Sequence, residues 1–587
     1  MSSETAHGDE EFDRVVKTTL ATQWQDWPNE AGFEGLTEVR GPVDLKVTGS
    51  IPSWATGSLY RTGPGQYDVE NTPKGLFKTT HWFDGFAHTH RFTIVATGNP
   101  KTPTRVVYSS RYQSHDYVEA IRKTGKVPVL SFGQRQDPCV GIFAKVMSVW
   151  NYENPNPTPS SDNIAVAVFD DMPGLPSPSG YSGHRPPIAI TTDNSVIRQF
   201  DGDTLEPVGR AKQDVLHPDL KGPLSSAHAQ RDLETGDIFN YNLDPGMYAT
   251  YRVFKTTAST GKTEIIATIA QSDVAPAYIH SFFMSENFVI LVVQSTHLAC
   301  KGLAVPWKGN IVDALEPFNT SKLWKWFIVD RRHGRGVVAS FSSPAGFFFH
   351  TINAFEEHDQ HTGDIKVSCD VIEYPTLSKI RSFEIETLLQ NKDGDEAYWK
   401  DEQRVSECLS RLTRYTFRVP QNQKGTAKDI KFERNTLLQA PNAGELPTIN
   451  PDYRTKKYRY AYSLPTRGYS ALHDGIVKMD LDTRRAVFWN SPKGHTPGEA
   501  IFIPRPKRDH HGGRDGNTEA HPDHEDEDDG ALLSVVLDGY KKISYLVCLD
   551  AKTMKELGRA ECDWAIGHGF HGLHRPSAGP QVETSVL

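Results

Sequence analysis

Short apolar stretches recur along the whole chain, and most of them alternate in polarity or are rich in β-branched and aromatic residues. Runs of this kind are typical of β-strands with at least one buried face. Asp-, Gly- and Thr-containing segments at 200–209, 230–239 and 548–557 lie where hairpin turns would connect such strands. The pattern predicts an all-β fold of many short antiparallel strands. Clear examples of predicted strands are 105–108, 188–197, 288–293, 323–330, 336–341, 458–462, 486–489, 532–537 and 543–549.

Helical periodicity is weak by comparison and is confined to about 11–23 and 384–391. No fixed short repeat is visible, so periodicity alone does not identify a repeat architecture. The 46 glycines and 38 prolines of the 587-residue chain are spread along its length and do not gather in one linker. We therefore expect one large β-rich domain.

Composition and charge exclude several classes of protein. The net charge of -9 provides no basic surface for nucleic acid. The longest aliphatic run, 288–293, is far too short to cross a bilayer, and the acidic N-terminus has no signal-peptide pattern. The six cysteines include no CxxC pair, which argues against a zinc ribbon or a disulfide framework. A cytoplasmic protein is expected, with no nucleic acid and no obligate protein partner.

Residues 508–529 differ from the rest of the chain because they are strongly polar and have no apolar periodicity. This composition predicts a solvated, disordered insertion. Four histidines lie within it, and adventitious metal binding is the alternative interpretation. They are His510, His511, His521 and His524.

Four other histidines stand inside or beside strand-like apolar runs. His350 directly follows three phenylalanines in "GFFFHTINAFEE", and His280 lies in "APAYIHSFFM". His571 and His228 occupy similar positions in "GFHGLH" and "LSSAHAQ". A single histidine in such a setting is ordinarily a core residue bonded to the backbone. The repetition of this setting four times indicates a shared function.

These histidine stretches resemble the motifs of the carotenoid cleavage oxygenases, and further motifs of that family follow in the same order. The resemblance covers most of the chain and is closest to the fungal members. The additional motifs are "GSLYRTGPGQY" (57–67), "HWFDGFAHTHRF" (81–92), "EDDGALLSVV" (527–536) and "FHGLH" (570–574).

The resemblance implies a single-domain, seven-bladed β-propeller with a dome of loops and short helices over an iron site. Residues 1–30 would form an N-terminal extension, and residues 31–587 would form the propeller domain. One Fe²⁺ per chain would be held by His228, His280, His350 and His571. These residues are too far apart in sequence to form a local finger-like motif. Four neutral imidazoles leave up to two octahedral positions open for dioxygen.

The family also orients its histidine ligands with carboxylates, which fix the tautomer of each ring. The resemblance assigns this role to Glu445, Glu499 and Asp193. Asp193 departs from the family pattern, which usually has Glu there, and its shorter side chain would require a shifted strand or a bridging water. His228 is expected to have no such carboxylate.

Two further surfaces are expected from the resemblance. Aromatic residues would line a substrate tunnel, and the candidates are Phe282, Phe283 and Phe349. The segment Leu303, Ala304, Val305, Pro306 and Trp307 lies between two lysines and is a candidate for peripheral membrane contact. A loop packed against the dome is an equally open interpretation of this segment.

The implied reaction is cleavage of one conjugated carbon–carbon double bond by O₂ to give two carbonyl products. The implied substrate is a long apolar polyene, first torulene, which would yield an apocarotenal. Symmetric cleavage of β-carotene to retinal is the alternative. Stilbene cleavage is less favoured, because Thr192 occupies the position where stilbene-cleaving relatives have a lysine. A non-catalytic propeller scaffold and a zinc hydrolase are the alternatives from other classes.

Overall fold

The structure is a computed structural model, and it describes residues 3–96, 104–128, 130–135, 156–246, 248–389, 395–421, 425–506 and 526–577. Strands dominate these residues, as the polarity pattern predicts. In chain order the strands are β1 (Val43–Gly49), β2 (Gly57–Gln66), β3 (Asp68–Thr72), β4 (Gly75–Lys78), β5 (Phe86–Val95), β6 (Arg105–Tyr112), β7 (Ala167–Asp170), β8 (Ile188–Thr191), β9 (Val196–Phe200), β10 (Pro207–Lys212), β11 (Leu224–Ser225), β12 (Gln230–Arg231), β13 (Ile238–Asp244), β14 (Thr250–Thr256), β15 (Thr263–Ile269), β16 (Phe283–Met284), β17 (Phe288–Val293), β18 (Trp324–Asp330), β19 (Val337–Ser343), β20 (Phe347–His358), β21 (Ile365–Tyr374), β22 (Arg411–Val419), β23 (Phe432–Gln439), β24 (Gly444–Thr448), β25 (Tyr460–Pro465), β26 (Gly475–Asp480), β27 (Arg485–Asn490), β28 (His495–Pro497), β29 (Ile501–Pro504), β30 (Gly530–Asp538), β31 (Ile543–Asp550), β32 (Glu556–Glu561) and β33 (Gly572–Pro576).

Most helices are short and lie in the connections between strands, whereas the 18-residue helix α1 precedes β1. The α-helices are α1 (Ser3–Leu20), α2 (His115–Thr124), α3 (Ala304–Lys308), α4 (Ser378–Arg381), α5 (Ile385–Leu388), α6 (Asp395–Trp399) and α7 (Glu402–Glu407). Short 3₁₀ helices occur at Gln23–Asp26, Glu30–Gly32, Ser53–Ala55, Trp82–Asp84, Gln213–Val215, Ala299–Gly302, Val312–Ala314 and Pro451–Tyr453. Among the described residues, none of the helices combines the length and the apolar character that crossing a bilayer requires.

The strands form a propeller-like series of antiparallel sheets, which confirms the all-β prediction. Five separate sheets have four or five strands each: β7–β10, β11–β15, β16–β19, β20–β23 and β24–β27. The family resemblance implies seven blades, whereas five blades are separate within the described residues. The strand β1 pairs with both β32 and β6, so β1, β2, β5, β6 and β28–β33 form one ten-stranded sheet. A two-stranded hairpin, β3–β4, completes the set.

The packing between sheets explains why the aromatic runs are buried. On the face of β16–β19 that meets β20–β23, Trp326 stacks on Phe341 of its own sheet with ring centroids 5.0 Å apart, and it contacts Tyr415 of β22 at 4.8 Å. Phe283 stacks on the same indole at 5.9 Å, and Phe348 also belongs to this apolar cluster. Burial of such rings supplies a large part of the hydrophobic stabilisation between sheets.

The N-terminal segment packs onto the helices that connect β21 and β22. Phe12, Val15 and Trp24 share an apolar cluster with Trp399 and Val405. This segment includes most of the predicted extension 1–30.

Nearer the other end of the sequence, the predicted disordered insertion 508–529 lies outside the described residues, except for 526–529.

The topology places four edge strands where they can surround a common site. In the order of strands within each sheet, β11, β16, β20 and β33 are terminal. His228, His280, His350 and His571 each lie on one of these strands or within three residues of it. Side chains from distant parts of the sequence therefore converge.

Candidate metal centre and cavity

The four histidines predicted from sequence lie together. Their candidate ligand nitrogens are all within 4.8 Å of one another. His228 Nε2 is 3.0 Å from His280 Nε2, and His350 Nε2 is 3.2 Å from His571 Nε2. Imidazole nitrogens bind transition metals at about 2.1 Å, so two of them at right angles around one ion would be about 3 Å apart. The spacing fits one metal ion.

The hydrogen bonds made by the Nδ1 atoms show which nitrogen of each ring faces the centre of the cluster. His280 Nδ1 is 2.9 Å from Asp193 Oδ2, His350 Nδ1 is 2.6 Å from Glu445 Oε2, and His571 Nδ1 is 2.7 Å from Glu499 Oε1. An ionised carboxylate only accepts hydrogen bonds, so each Nδ1 donates and each neutral ring presents a bare lone pair at Nε2. His350 and His571 therefore face each other with bare lone pairs 3.2 Å apart, an arrangement that a cation between them would stabilise. The donor set therefore fits a metal.

The carboxylates differ in what else they bind. Asp193 accepts from the Tyr278 hydroxyl at 2.8 Å and from the Ala227 N–H at 3.1 Å. Both Asp193 oxygens lie within 3.0 Å of His280 Nδ1, so the shorter side chain reaches its ring directly, without a bridging water. Within the described residues, no carboxylate forms a hydrogen bond with His228.

Glu499, like Asp193, accepts hydrogen bonds from three groups. Its Oε2 accepts from Arg61 Nη1 at 2.9 Å and from the Gly572 N–H at 2.8 Å, while Oε1 accepts from His571. Arg61 is 3% exposed, so this is a buried ion pair. Glu445 is different, because its Oε1 is buried without a hydrogen-bond partner.

The electrostatics favour neutral imidazoles beside ionised carboxylates. Burial lowers the pKa of His350 to about 4, against the raising effect of Glu445. Burial also lowers the pKa of His228 well below its usual range, and its neighbouring histidines act in the same direction. Burial alone would raise the pKa of Glu445 and of Glu499, but attraction to their histidines contributes to a net lowering of both. Neutral imidazole is the form that binds metals.

An apolar cavity of about 610 Å³ opens beside the histidines, and His280, His350 and His571 contribute to its wall. This volume includes space that is open to solvent. Its remaining wall is mainly aromatic, with a few polar residues. The aromatic residues are Trp82, Phe83, Phe132, Phe349, Phe383 and Phe570.

Of the three phenylalanines predicted to line a tunnel, only Phe349 lies in the wall of this cavity. Phe282 is 1% exposed and packs against Tyr241 at a centroid distance of 6.3 Å. Phe283 belongs to the stack between sheets with Trp326. Successive strand residues point to opposite faces, and neither of these faces meets the cavity.

The segment predicted to contact membranes is mixed in exposure. Leu303 is 72% exposed and Trp307 is 42% exposed, whereas Val305 is buried. Ala304 and Pro306 are partly buried in the short helix α3. Two apolar side chains thus project from a segment that is anchored by a third.

Several residues at the site were not selected from the sequence. Arg61 and Tyr278 bind the carboxylates, and Trp82, Phe83 and His473 line the cavity. An arginine inside the buried run "SLYRTG" signals the need for an acidic partner, and "HWF" signals an aromatic wall. Neither signal identifies the partner or the side of the sheet.

Comparison with known proteins gives consistent relatives. The sequence is 47% identical to a carotenoid dioxygenase of Neurospora crassa over 97% of this chain and 94% of that protein. It is 44% identical to a torulene dioxygenase of Gibberella fujikuroi over 97% of this chain and 98% of that protein. Among solved structures, cobalt-substituted Synechocystis ACO superposes with a TM-score of 0.66 at 20% identity, covering 94% of this chain and 99% of that chain.

An ACO/RPE65 chimera superposes equally well, with a TM-score of 0.66 at 21% identity over 94% of this chain and 99% of the other. These structural matches support the fold. A sequence profile described as retinal pigment epithelial membrane protein matches residues 32–576, which is most of the chain. The chain therefore belongs to the RPE65, or retinal pigment epithelial membrane protein, family.

Proposed function

We propose that this protein is an iron(II)-dependent dioxygenase that cleaves one conjugated carbon–carbon double bond of a carotenoid or apocarotenoid into two carbonyl products. The observation that carries the proposal is the set of four converging histidines beside an aromatic cavity. The relatives named carotenoid dioxygenase and torulene dioxygenase support it.

His228, His280, His350 and His571 would hold the ion, one per chain. Bound iron(II) supplies the redox chemistry through which dioxygen reacts with the double bond. Four neutral ligands add no negative charge, and they leave coordination positions for a neutral gas and need no anionic co-substrate. The carboxylates fix the orientation of three rings, so that each Nε2 points inward.

The cavity would hold the polyene beside these histidines. Its aromatic wall excludes water and offers flat surfaces against which a rigid conjugated chain can pack. The faces of Phe83, Phe349 and Phe570 can also stabilise positive charge that develops on the polyene. No side chain in this scheme acts as a nucleophile. Position and desolvation are the contributions of the protein.

Torulene is the substrate that we propose first, with an apocarotenal as product. Its support is the 44% identity to torulene dioxygenases. The β,β-carotene 15,15'-dioxygenases of mouse and chicken are less similar, at 29% and 28% identity. Thr192 lines the cavity in place of the lysine expected for stilbene cleavage.

We also propose the finer architecture that the family implies. The ten-stranded sheet would count as two blades that share β1, which with the five separate sheets gives seven. Residues 31–587 would form this domain and residues 1–30 its extension. Leu303 and Trp307 would make a peripheral membrane contact on a protein that is otherwise cytoplasmic.

Product analysis tests the proposal. Purified, iron-loaded protein is incubated with torulene, β-carotene and resveratrol under ¹⁸O₂, and one labelled oxygen is expected in each carbonyl product. His571→Ala should lose iron and activity, whereas His574→Ala, in the strand β33 that follows His571 and outside the cavity wall, should keep both. Turnover without oxygen would favour a hydrolase, and absence of both iron and turnover would favour a scaffold.

A further inference from the structure

A single asparagine side chain joins two of the sheets that surround the site. Glu445 lies in β24, whereas Glu499 lies between β28 and β29 of the ten-stranded sheet. Asn29 Nδ2 donates to Ser470 Oγ at 3.1 Å, and Ser470 lies in the loop between β25 and β26, in the sheet of Glu445. Asn29 Oδ1 accepts from Thr496 Oγ1 of β28 at 2.6 Å. The amide group of Asn29 therefore bridges the two sheets.

This bridge is buried. Asn29, Ser470 and Thr496 are each no more than 3% exposed. Trp27 Nε1 also donates to Thr496 Oγ1, at 2.9 Å, so this hydroxyl donates one hydrogen bond and accepts another. A buried hydrogen bond is stronger than one in water, and its loss leaves both partners unpaired. The three residues therefore hold the segments that contain them at a fixed distance.

Both ends of the bridge lie close in sequence to residues of the site. Ser470 is three positions before His473, which lines the cavity. Thr496 is three positions before Glu499, which binds His571. Three extended residues span at most about 10 Å. A displacement at the bridge therefore reaches the carboxylate and the cavity wall through very little intervening chain.

The chain before β1 contacts two more segments that lead into the site. The Glu11 carboxylate accepts from Asn442 Nδ2, and Asn442 is three positions before Glu445. The Gly32 carbonyl oxygen accepts from the His568 N–H at 3.4 Å, in the segment that leads into β33. A Cβ atom on Gly32 would lie 2.3 Å from the His568 ring, so only glycine permits this close approach. The bridge is thus one part of a wider contact between the N-terminal segment and the site.

We propose that Asn29 and Thr496 are positioning residues of the metal centre, because their hydrogen bond fixes one carboxylate-bearing sheet against the other. Carboxylates of these two sheets hold His350 and His571, whose Nε2 atoms are 3.2 Å apart. Without the bridge the two rings sample a wider range of distances, and a metal ion must order them when it binds. This inference rests on the proposed function in so far as the four histidines hold a metal.

Cobalt binding tests the proposal without turnover. Co²⁺ is titrated into the full-length, metal-free protein, and its visible absorption bands report both the affinity and the geometry of the site. Thr496→Val keeps the shape of the side chain but removes the hydroxyl. It should bind Co²⁺ about 3- to 10-fold more weakly, which is the effect of one lost hydrogen bond, and with a changed spectrum. Thr496→Ser keeps the hydroxyl and should bind Co²⁺ as the wild type does.

Two further variants separate positioning from general stability. Asn29→Leu removes the bridge from its other side and should reproduce the effect of Thr496→Val. The matched control is Thr104→Val, which removes a buried hydroxyl that donates to the Ile51 carbonyl oxygen at 2.6 Å, away from the cavity wall. The control should also lower the urea midpoint of unfolding, but it should leave the affinity for Co²⁺ and the spectrum unchanged.

Two outcomes would overturn the inference. One is wild-type affinity and spectrum in Thr496→Val, and the other is an equal loss of affinity in Thr104→Val, which would make the effect one of stability alone. If Thr496→Val does not fold, Ser470→Ala, which removes only the second hydrogen bond of the bridge, is judged by the same criteria. The proposed function fails in a different way: variants that behave as expected in a protein that cleaves no polyene when loaded with iron would keep the positioning residues and reject the oxygenase.

Discussion

Replacement of Glu499 by Gln tests how the buried carboxylates support the metal. Glu499 accepts from three groups: His571 on one oxygen, and Arg61 and Gly572 N–H on the other. Glutamine has only one oxygen, so its NH₂ group must face either the histidine or the arginine. One hydrogen bond becomes a contact between two donors, and the buried guanidinium loses its counter-charge.

The magnitudes of the two effects differ. Loss of an outer hydrogen bond to a metal-binding histidine typically lowers metal affinity about 10- to 100-fold, which is about 1.4–2.8 kcal/mol. Removal of one member of a buried ion pair typically costs about 3–5 kcal/mol of folding stability. We expect Glu499→Gln to show both, because Arg61 is 3% exposed and cannot reach water without rearrangement.

A double-mutant cycle separates these effects. Iron affinity is measured by anaerobic titration, and stability by urea unfolding of the metal-free protein. Arg61→Met combined with Glu499→Gln should recover much of the stability, since no unpaired charge remains, but should not restore iron affinity. Asp370→Asn is the matched control. It breaks the pair between the buried Asp370 and Arg414, whose side chain is 23% exposed; their two hydrogen bonds are each 2.7 Å, and neither residue is hydrogen-bonded to the histidines in the described part of the chain.

The control should lose stability and keep wild-type iron affinity. Two results would refute the reasoning. If Glu499→Gln binds iron as tightly as the wild type, the carboxylate does not support His571 in the way proposed. If the double variant regains full iron affinity, the effect of Glu499 on the metal is only an indirect result of the unpaired arginine.

Three further predictions follow from other parts of the molecule. Deletion of residues 571–587 should abolish iron binding, and stoichiometric iron in the purified truncated protein would contradict the ligand assignment. Burial lowers the pKa of His81 from 6.5 to about 4. As the pH falls, this histidine is therefore protonated in the unfolded chain before it is protonated in the folded protein. Stability should therefore be complete above about pH 6.5 and fall by up to about 3 kcal/mol as the pH drops to about 4. Urea midpoints at several pH values should show this loss, and His81→Asn should reduce it. The double variant Leu303→Ser, Trp307→Ser should sediment less with anionic lipid vesicles than the wild type. Unchanged sedimentation would favour the alternative that this segment is a loop packed against the dome.

The histidines could be selected from sequence because each contradicts its surroundings. A ring that needs hydrogen-bond partners is costly inside a run such as "FFFH", and the same contradiction occurs four times. The structure brings these rings together, and it also places Asp193 beside His280 despite the shorter side chain. The sequence could indicate which residues needed partners.

Other features could not be predicted because they depend on contacts across the whole chain. The pairing of β1 with both β32 and β6, which merges the sheets, leaves no local signal in any of the three strands. The positions of Phe282 and Phe283 relative to the cavity could not be predicted for the same reason. Alternation predicts that they face opposite ways, but the side that meets the cavity depends on where β16 lies in the ring. The same holds for Arg61, whose partner is far along the sequence.

The strands β1 and β2 pair with β32 and β33, which lie near the end of the sequence, and this pairing has a consequence for biosynthesis. Lys46 pairs with Glu561 and Ser58 with Arg575, so early strands wait for partners that the ribosome makes near the end of translation. During that interval the nascent polypeptide exposes unpaired edges, which are prone to association with other chains. His571 belongs to the same late segment. A metal ion held by all four proposed ligands can therefore be captured only after this segment is made, and chaperones that cover the waiting edges during expression should raise the fraction of metal-loaded protein.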